Sequence, residues 1–369
     1  MKISLINGPK TVMSNPTSKH NYFAWPTVAR LKNGRLAVVA SGFRIQHVCP
    51  FGKTVLSFSE DEGESYTLPA PVIDTPLDDR DGGILPFGKS GVIVTSFNNK
   101  LDFQRRVAEH SGYKDYRLAY LDAVDREEEA RYLGASFRVS FDNGVTFGAL
   151  YKSPVTSPHG PVQRQNGDIV WVGRTFSPKD AMMAEDCICA YLLHPENGEM
   201  EYIGRIDDVV IEGEKQLSCE PYAFEREDGV LLCHIRVQSP RECKERFTTY
   251  QAISEDGGRT WSKPEPLLSV FGGAPSHIMR HSSGVLVAVY GFRGAPYGAK
   301  PFGIKAMFSR DNGKTWDTEY DIYKNEGTED IGYPSTVELS DGSLLTVFYA
   351  KEQEGCPAVI MQQKWRIEE

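Results

Sequence analysis

A chain of 369 residues with 40% hydrophobic and 25% charged side chains has the make-up of an ordinary folded globule, which excludes disordered, collagen-like and coiled-coil chains. Its 41 Lys and Arg stand against 50 Asp and Glu, and a net charge of -9 repels a phosphate backbone, so nucleic acid is not an expected partner. The longest apolar runs read as strands too short to span a bilayer, and the opening MKISLINGPK lacks the apolar core of a secretory signal. A cytoplasmic protein is expected, or a secreted one if the chain is a processed form, with no membrane partner.

The predicted elements recur along the chain. A polar turn ending in glycine, followed by an apolar strand, returns at Gly34 (NGRLAVVA), Gly91 (SGVIVTS), Gly167 (NGDIVWV), Gly229 (DGVLLCHI), Gly284 (SGVLVAVY) and Gly342 (DGSLLTVF). Such turns join hairpins, because glycine tolerates the positive φ they demand. In step with them runs Ser-x-Asp-x-Gly-x-x-aromatic, at Ser59, Ser140, Ser254 and Ser309. The gap between Ser140 and Ser254 is two repeats wide, and HPENGEMEY from His194 fills it as a degraded copy, with Glu196 for the aspartate and Gly198 kept.

Each unit thus reads as strand A, glycine turn, strand B, strand C, Ser-x-Asp turn and strand D. Six four-stranded antiparallel units predict an all-β, six-bladed β-propeller, one domain over residues 1–369. The last unit lacks a Ser-x-Asp turn and ends at KWRIEE, so the N-terminal strand, Lys2 to Leu5 or longer, is expected to complete it and close the ring. Residues 98–134 are an insertion between strands B and C of blade 2. Leu118, Leu121, Val124 and Ala130 suggest a short amphipathic helix there, serving as a lid or as a subunit contact in a homo-oligomer. Seven cysteines with no CxxC pair and no nearby His ladder indicate neither a disulfide framework nor a metal site, and no cofactor is expected. Cys187 and Cys189 would share one face of a strand as small core residues.

Strand direction places the start of every A strand and the end of every B strand at one mouth of the ring. Counting back from the turn glycines puts Trp25, Gly82, His159, Glu220, Pro275 and Tyr333 there. The B strands deliver Arg44, Arg174, Arg236, Arg293 and Lys351 to the same rim, an anion-recognition pattern on a chain of negative charge. Glu220 and Tyr333 share one offset in blades 4 and 6, and a phenol becomes a competent nucleophile when a carboxylate takes its proton. At the start of blade 2, LDDRDGG brings Asp79, Arg80 and Asp81 to the mouth. Crowded or desolvated carboxylates hold a proton at neutral pH, as a general acid requires. His159 is a further proton-exchange candidate. Trp25 and Tyr297 offer aromatic surface, and Arg105, Arg106 and Arg117 of the insertion are additional candidate anion contacts.

The Ser-x-Asp turns are Asp-boxes, and the whole pattern resembles the sialidase (BNR-repeat) superfamily. The boxes themselves are structural, their side chains bonding their own turns. SCEPYAFEREDGVLLCHIR resembles the segment supplying the family's glutamate and one arginine of its carboxylate-binding triad, which implies those roles for Glu220 and Arg236. IGYPSTVELSDGSLLTVFY resembles the segment of the nucleophile, which falls on Tyr333. The chain also departs from the family: Ala24-Trp25-Pro26 stands where the first triad arginine belongs in Arg-Ile-Pro. RIQHVCPFG offers only His47 where the acid/base aspartate belongs, and the third arginine has Arg293 as candidate and Lys300 in reserve. The resemblance implies a sialidase-like, exo-acting glycoside hydrolase that removes a terminal acidic sugar from an oligosaccharide or glycoconjugate through a Tyr/Glu pair. A lyase acting on a uronic-acid linkage and a non-catalytic glycan-binding propeller are the other readings of the same pattern.

Overall fold

Five of the six repeated glycine turns close a hairpin in the same way, Gly91 being paired with Phe87 inside the ladder instead. Gly34 N donates to Leu31 O at 2.9 Å, and Gly167, Gly229, Gly284 and Gly342 donate to the residue three before them at 2.8 to 3.0 Å. In this computed structural model residues 1–175, 187–242, 246–267, 272–295, 297–325, 327–351, 353 and 355–368 are described.

Six antiparallel sheets follow one another along the chain. Blade 1 is Tyr22–Arg30, Leu36–Arg44, Lys53–Ser59 and Ala70–Ile73, and blade 2 is Arg80–Phe87, Gly91–Phe97, Ala135–Ser140 and Tyr151–Ser153. In blade 3 strand A is broken into Val155–Thr156 and Val162–Gln163, and Ile169–Thr175, Ile188–His194 and Glu199–Ile206 follow. Blade 4 is Leu217–Glu225, Leu231–Gln238, Phe247–Ser254 and Glu265–Pro266; blade 5 is Gly273–Arg280, Leu286–Phe292, Phe302–Ser309 and Asp317–Asn325. Blade 6 takes Gly332–Glu338, Leu344–Ala350 and Val359–Glu368 from the C-terminal end and Lys2–Met13 from the start. That closing strand is longer than Lys2 to Leu5, pairing from Lys2 with Glu368 to Met13 with Ile360.

The B strands are mostly apolar over their first four residues because both of their faces are covered there. In blade 1, Leu36, Val38 and Ala40 pack toward blade 6 against Leu345, Val347 and Ile360. The alternate residues Ala37 and Val39 pack toward blade 2 against Ile84, Val92 and Val94. The core is therefore a ring of inter-blade clusters, and the polar chemistry is left to the axis and the mouths. Blades 2 and 3 meet there backbone to backbone: a Cβ on Gly83 would lie 2.5 Å from Gly160 N.

The four Asp-boxes bond as their sequence implies. Ser59 Oγ accepts from Gly63 N at 2.8 Å and Asp61 Oδ1 from Ser65 N at 2.8 Å, and the turns at Ser140, Ser254 and Ser309 repeat both bonds. The hydroxyls of Ser65, Thr146 and Thr315 lead in holding Asp61, Asp142 and Asp311 at about 2. The segment at His194 is instead a plain hairpin turn, with Gly198 N donating to His194 O at 2.8 Å.

The insertion holds three helices rather than one, Leu101–Glu109, Lys114–Ala123 and Arg126–Tyr132. Leu101, Ala108, Leu121 and Val124 pack with Leu77 into a small core of their own. Asn98 ties the two ends of the insertion, donating to Tyr132 O at 3.0 Å and accepting from Gly134 N at 2.9 Å. Among the described residues the cysteines are free thiols. Cys187 and Cys189 are buried on one strand face with their sulfurs 4.0 Å apart, while Cys243 lies outside the described residues. No described helix is long and apolar enough to cross a membrane.

Candidate active site

The A strands of blades 1, 2, 4, 5 and 6 are interrupted near their starts, blade 5 between Gly273 and Ser276, and the interruptions of the other four build the site. Ladder pairing slips between Ala24 and Thr27, Arg80 and Gly83, Cys219 and Tyr222, and Gly332 and Ser335. Inside those bulges Trp25, Asp81, Glu220 and Tyr333 adopt φ of 55°, 47°, 50° and 44°. A side chain that would point between blades is thereby turned toward the axis. Blade 2 corrects the sequence count by one residue. Gly91 pairs with Phe87 as the first residue of strand B, so Asp81 and not Gly82 is the counterpart of Glu220 and Tyr333.

These bulges line a cavity of about 370 Å3 at the expected mouth, with Tyr333, Glu220, Arg236 and Arg293 on one side and Arg80, Asp81 and His47 among the residues that complete it. Tyr333 donates its hydroxyl proton to Glu220 Oε1 at 2.5 Å, and Arg236 donates to the same oxygen at 2.7 Å. Burial opposes the charge on Glu220, but the Arg236 guanidinium, the Tyr333 hydroxyl and Arg293 together outweigh it and hold the carboxyl below its ordinary range. Burial, and then the Glu220 charge, push the Tyr333 phenol well above its ordinary value. The resting pair is therefore a phenol donating to a carboxylate. Glu220 Oε2 is buried without a hydrogen-bond partner.

The cations divide into two groups. Arg174, Arg236, Arg293 and Arg80 line the cavity. Arg293 is held by Ile331 O at 3.2 Å and by the hydroxyls of Tyr297 and Tyr349 at 3.4 and 3.3 Å. Arg80 lies 4.1 Å over the Trp25 ring and donates to His47 O at 2.9 Å. Arg44 and Lys351, expected at the rim, are not in the lining. Arg44 is sealed behind the wall in a 2.5 Å ion pair with the fully buried Asp78, because the 45–52 loop folds over it. Lys351 pairs with Asp330 at 2.7 Å, and Lys300 does not reach the lining.

Three further expectations are corrected. Trp25 is buried as a shelf under Arg80 and Arg44 and is not itself a lining residue. Asp79 points away from the cavity, its carboxylate accepting from Thr75 N at 2.7 Å, Thr75 Oγ1 at 2.8 Å and Asn98 Nδ2 at 3.4 Å. His159 lies off the lining, 1% exposed, its Nδ1 3.0 Å from Thr27 Oγ1 and its ring against His277 and Tyr222. Of the three carboxyls in LDDRDGG, Asp78 is paired with Arg44, Asp79 is held by Thr75 and Asn98, and Asp81 alone reaches the cavity. It is 7% exposed with Oδ1 unpartnered, and burial, with Glu220 adding to it and Arg80 opposing, pushes it up to about 7.

The insertion contributes a ring and an amide rather than charge. Phe103 and Asn99 join Phe97 in the lining. Arg117 is buried, donating to Val48 O at 2.7 Å, Arg105 is paired with Asp122, and Arg106 stands outside the lining near the Phe103 ring. His47 does line the cavity, and so do Gln238 and Phe97, which the strand count does not point to; Gln238 could have been found, since it follows Arg236 by two on the same strand face. No group of three or more His, Cys, Asp or Glu among the described residues is arranged to hold a metal.

The family model for BNR repeat-like domains matches residues 117–347. A protein of unknown function from Dyadobacter fermentans is similar in structure over 99% of both chains, with a TM-score of 0.76 and 19% identity. The NanB sialidase of Streptococcus pneumoniae shares 12% identity at a TM-score of 0.69, over 98% of this chain and 71% of that one. An intramolecular trans-sialidase of Ruminococcus gnavus shares 13% at 0.66, over 95% of each. An alpha-L-arabinofuranosidase of Fusarium graminearum has the same architecture at 10% identity and a TM-score of 0.55, over 97% of each chain. A search of curated proteins found no match.

Proposed function

We propose, for a chain that belongs to the family of BNR repeat-like domains, an exo-acting glycosidase that cleaves a terminal acidic sugar by covalent catalysis through Tyr333. The reading rests on one observation, the 2.5 Å bond from the Tyr333 hydroxyl to Glu220 inside an arginine-lined cavity. A carboxylate nucleophile would be repelled by a substrate carboxylate next to the anomeric carbon, whereas a phenol approaches neutral and gives up its proton only as the bond forms.

In the first step Tyr333 Oη attacks the anomeric carbon and its proton passes to Glu220. The glycosidic bond breaks, and Asp81 delivers a proton to the departing oxygen. In the second step Asp81, now a carboxylate, takes a proton from water. That water displaces the tyrosine, and the proton on Glu220 returns to it. Arg236 and Arg293 bind the sugar carboxylate, and Arg80 and Arg174 supply further positive charge. The lyase reading needs a histidine beside Tyr333 to move protons; His159 is shut out of the cavity, and His47 in the lining turns its Nδ1 to Tyr22 Oη at 3.2 Å and Asp330 at 3.4 Å, which favours hydrolysis. Glycosides of sialic, keto-deoxy and uronic acids, with neutral hexosides and arabinofuranosides beside them, are the test set. Turnover of an acidic member that falls at least about a thousandfold in Tyr333→Phe is expected. Turnover of neutral members alone, or an unimpaired Tyr333→Phe, overturns the reading.

A further inference from the structure

Arg236 does not face the cavity with an empty fork. Its Nε and one terminal nitrogen both donate to the side-chain oxygen of Gln238, the former at 2.9 Å, while the other terminal nitrogen holds Glu220. The guanidinium is stacked 4.4 Å from the Phe247 ring, which fixes its plane. Gln238 itself lines the cavity and is only partly buried, at the end of strand B of blade 4. A neutral amide oxygen of the protein thus occupies the edge of Arg236 that a carboxylate takes with two parallel bonds.

We propose that Gln238 is an internal competitor for the substrate carboxylate and sets the charge specificity of the site, an inference that rests on the acidic-sugar reading above. Bonds from a guanidinium to an ionised oxygen are about twice as strong as those to a neutral one, so a carboxylate displaces the amide. An ester, a primary amide or a hydroxyl gains nothing over the amide already there and is turned away. Discrimination arises from the difference between the two acceptors rather than from Arg236 alone. Gln238 is a specificity residue in this account and takes no part in bond breaking.

The probes are pyruvate, glucuronate and glucuronate methyl ester, titrated by calorimetry or saturation-transfer NMR into the wild-type protein and its variants. In Gln238→Ala both carboxylates are expected to bind about tenfold more tightly, and the ester to lose its disadvantage in part. Gln238→Ser, which also shortens the side chain, must behave in the same way. Gln238→Glu places a permanent carboxylate on Arg236 and is expected to weaken both probes at least about tenfold. Adding Arg236→Lys to Gln238→Ala is expected to abolish the gain. Equal or weaker binding in both truncations, or no binding of either carboxylate to them, overturns the proposal. Failure of the glycosidase reading is a separate event, seen as no Tyr333-dependent turnover, because these titrations involve no catalysis.

Discussion

Replacing Asp81 by Asn keeps the shape of the cavity wall and removes its one proton near neutrality. With the carboxyl pushed up to about 7, half the molecules carry the proton at pH 7. Each further pH unit lowers that fraction about tenfold, or about 1.4 kcal/mol of barrier per unit. The wild-type rate is therefore expected to fall above pH 7 with unit slope, while the acid limb follows protonation of Glu220 below its ordinary range. Positioned proton donors contribute about 10²- to 10⁴-fold, and Asp81→Asn should lose that much on a sugar or alkyl leaving group. It should lose far less on an aryl group acidic enough to leave unprotonated, and its alkaline limb should vanish. The assay is kcat/KM against pH with an alkyl and an aryl glycoside of the same sugar. Equal losses on the two leaving groups, or an alkaline limb that survives in Asp81→Asn, refute the role of Asp81 as acid.

Other expectations concern the scaffold. A Cβ on Gly52 would meet an Arg44 terminal nitrogen at 2.1 Å and Asp78 Oδ1 at 2.7 Å. Gly52→Ala should break that sealed pair and lower stability by about 3 to 5 kcal/mol, read as a drop in Tm, whereas Gly8→Ala, in open space, should change nothing. Asp79 is pushed up to about 7 by burial, so the fold holds a proton that the unfolded chain releases above about 4. The unfolded state then binds fewer protons, and stability should decline as pH rises from about 4 to 7. Asp79→Asn should flatten that decline, measured as urea midpoints at pH 5 and 8, and an unchanged slope would show that Asp79 is ionised in the fold.

The ring was legible because its signals are local. A glycine turn or an Asp-box bonds only to its own neighbours, so it reads the same in every repeat whatever lies across the molecule. Tyr333 and Glu220 could be found by counting because their blades share one hairpin length. The count slipped at Gly82 and His159 where blades 2 and 3 alter the turn or break strand A. Measured from the strand B residues Leu36, Val92, Ile169, Leu231 and Leu344, the equivalent positions are Trp25, Asp81, Pro158, Glu220 and Tyr333. The fate of the cations was not legible. Arg236 stands opposite Cys219 just past the bulge of blade 4, whereas Arg44 lies three residues further along its own B strand, opposite Tyr22. Their partners differ too: Asp78 reaches Arg44 from the linker between blades, while Glu220 and Gln238 hold Arg236 at the cavity. Pairing between distant segments leaves no periodic trace in one chain.

The bulges explain why a site can sit on strands otherwise buried on both faces. In an unbroken strand the side chains alternate between the two neighbouring blades, and neither inter-blade core could take an unpaired carboxylate without a penalty of several kcal/mol. Two residues left outside the ladder free one side chain to face the axis, at about 1 to 2 kcal/mol for a left-handed φ on a residue with a Cβ. Pro26, Pro221 and Pro334 follow the re-aimed residue in three blades, and a missing N–H is no loss where the ladder is already interrupted. The device is indifferent to what it carries. In blade 1 it turns inward an indole that supports two guanidinium groups from beneath, and in blades 2, 4 and 6 it presents a carboxyl, a carboxylate and a phenol to the cavity. An X-Pro bulge at the start of strand A therefore marks where a functional group can be placed, and the chemistry must be read from the residue, its burial and its partner.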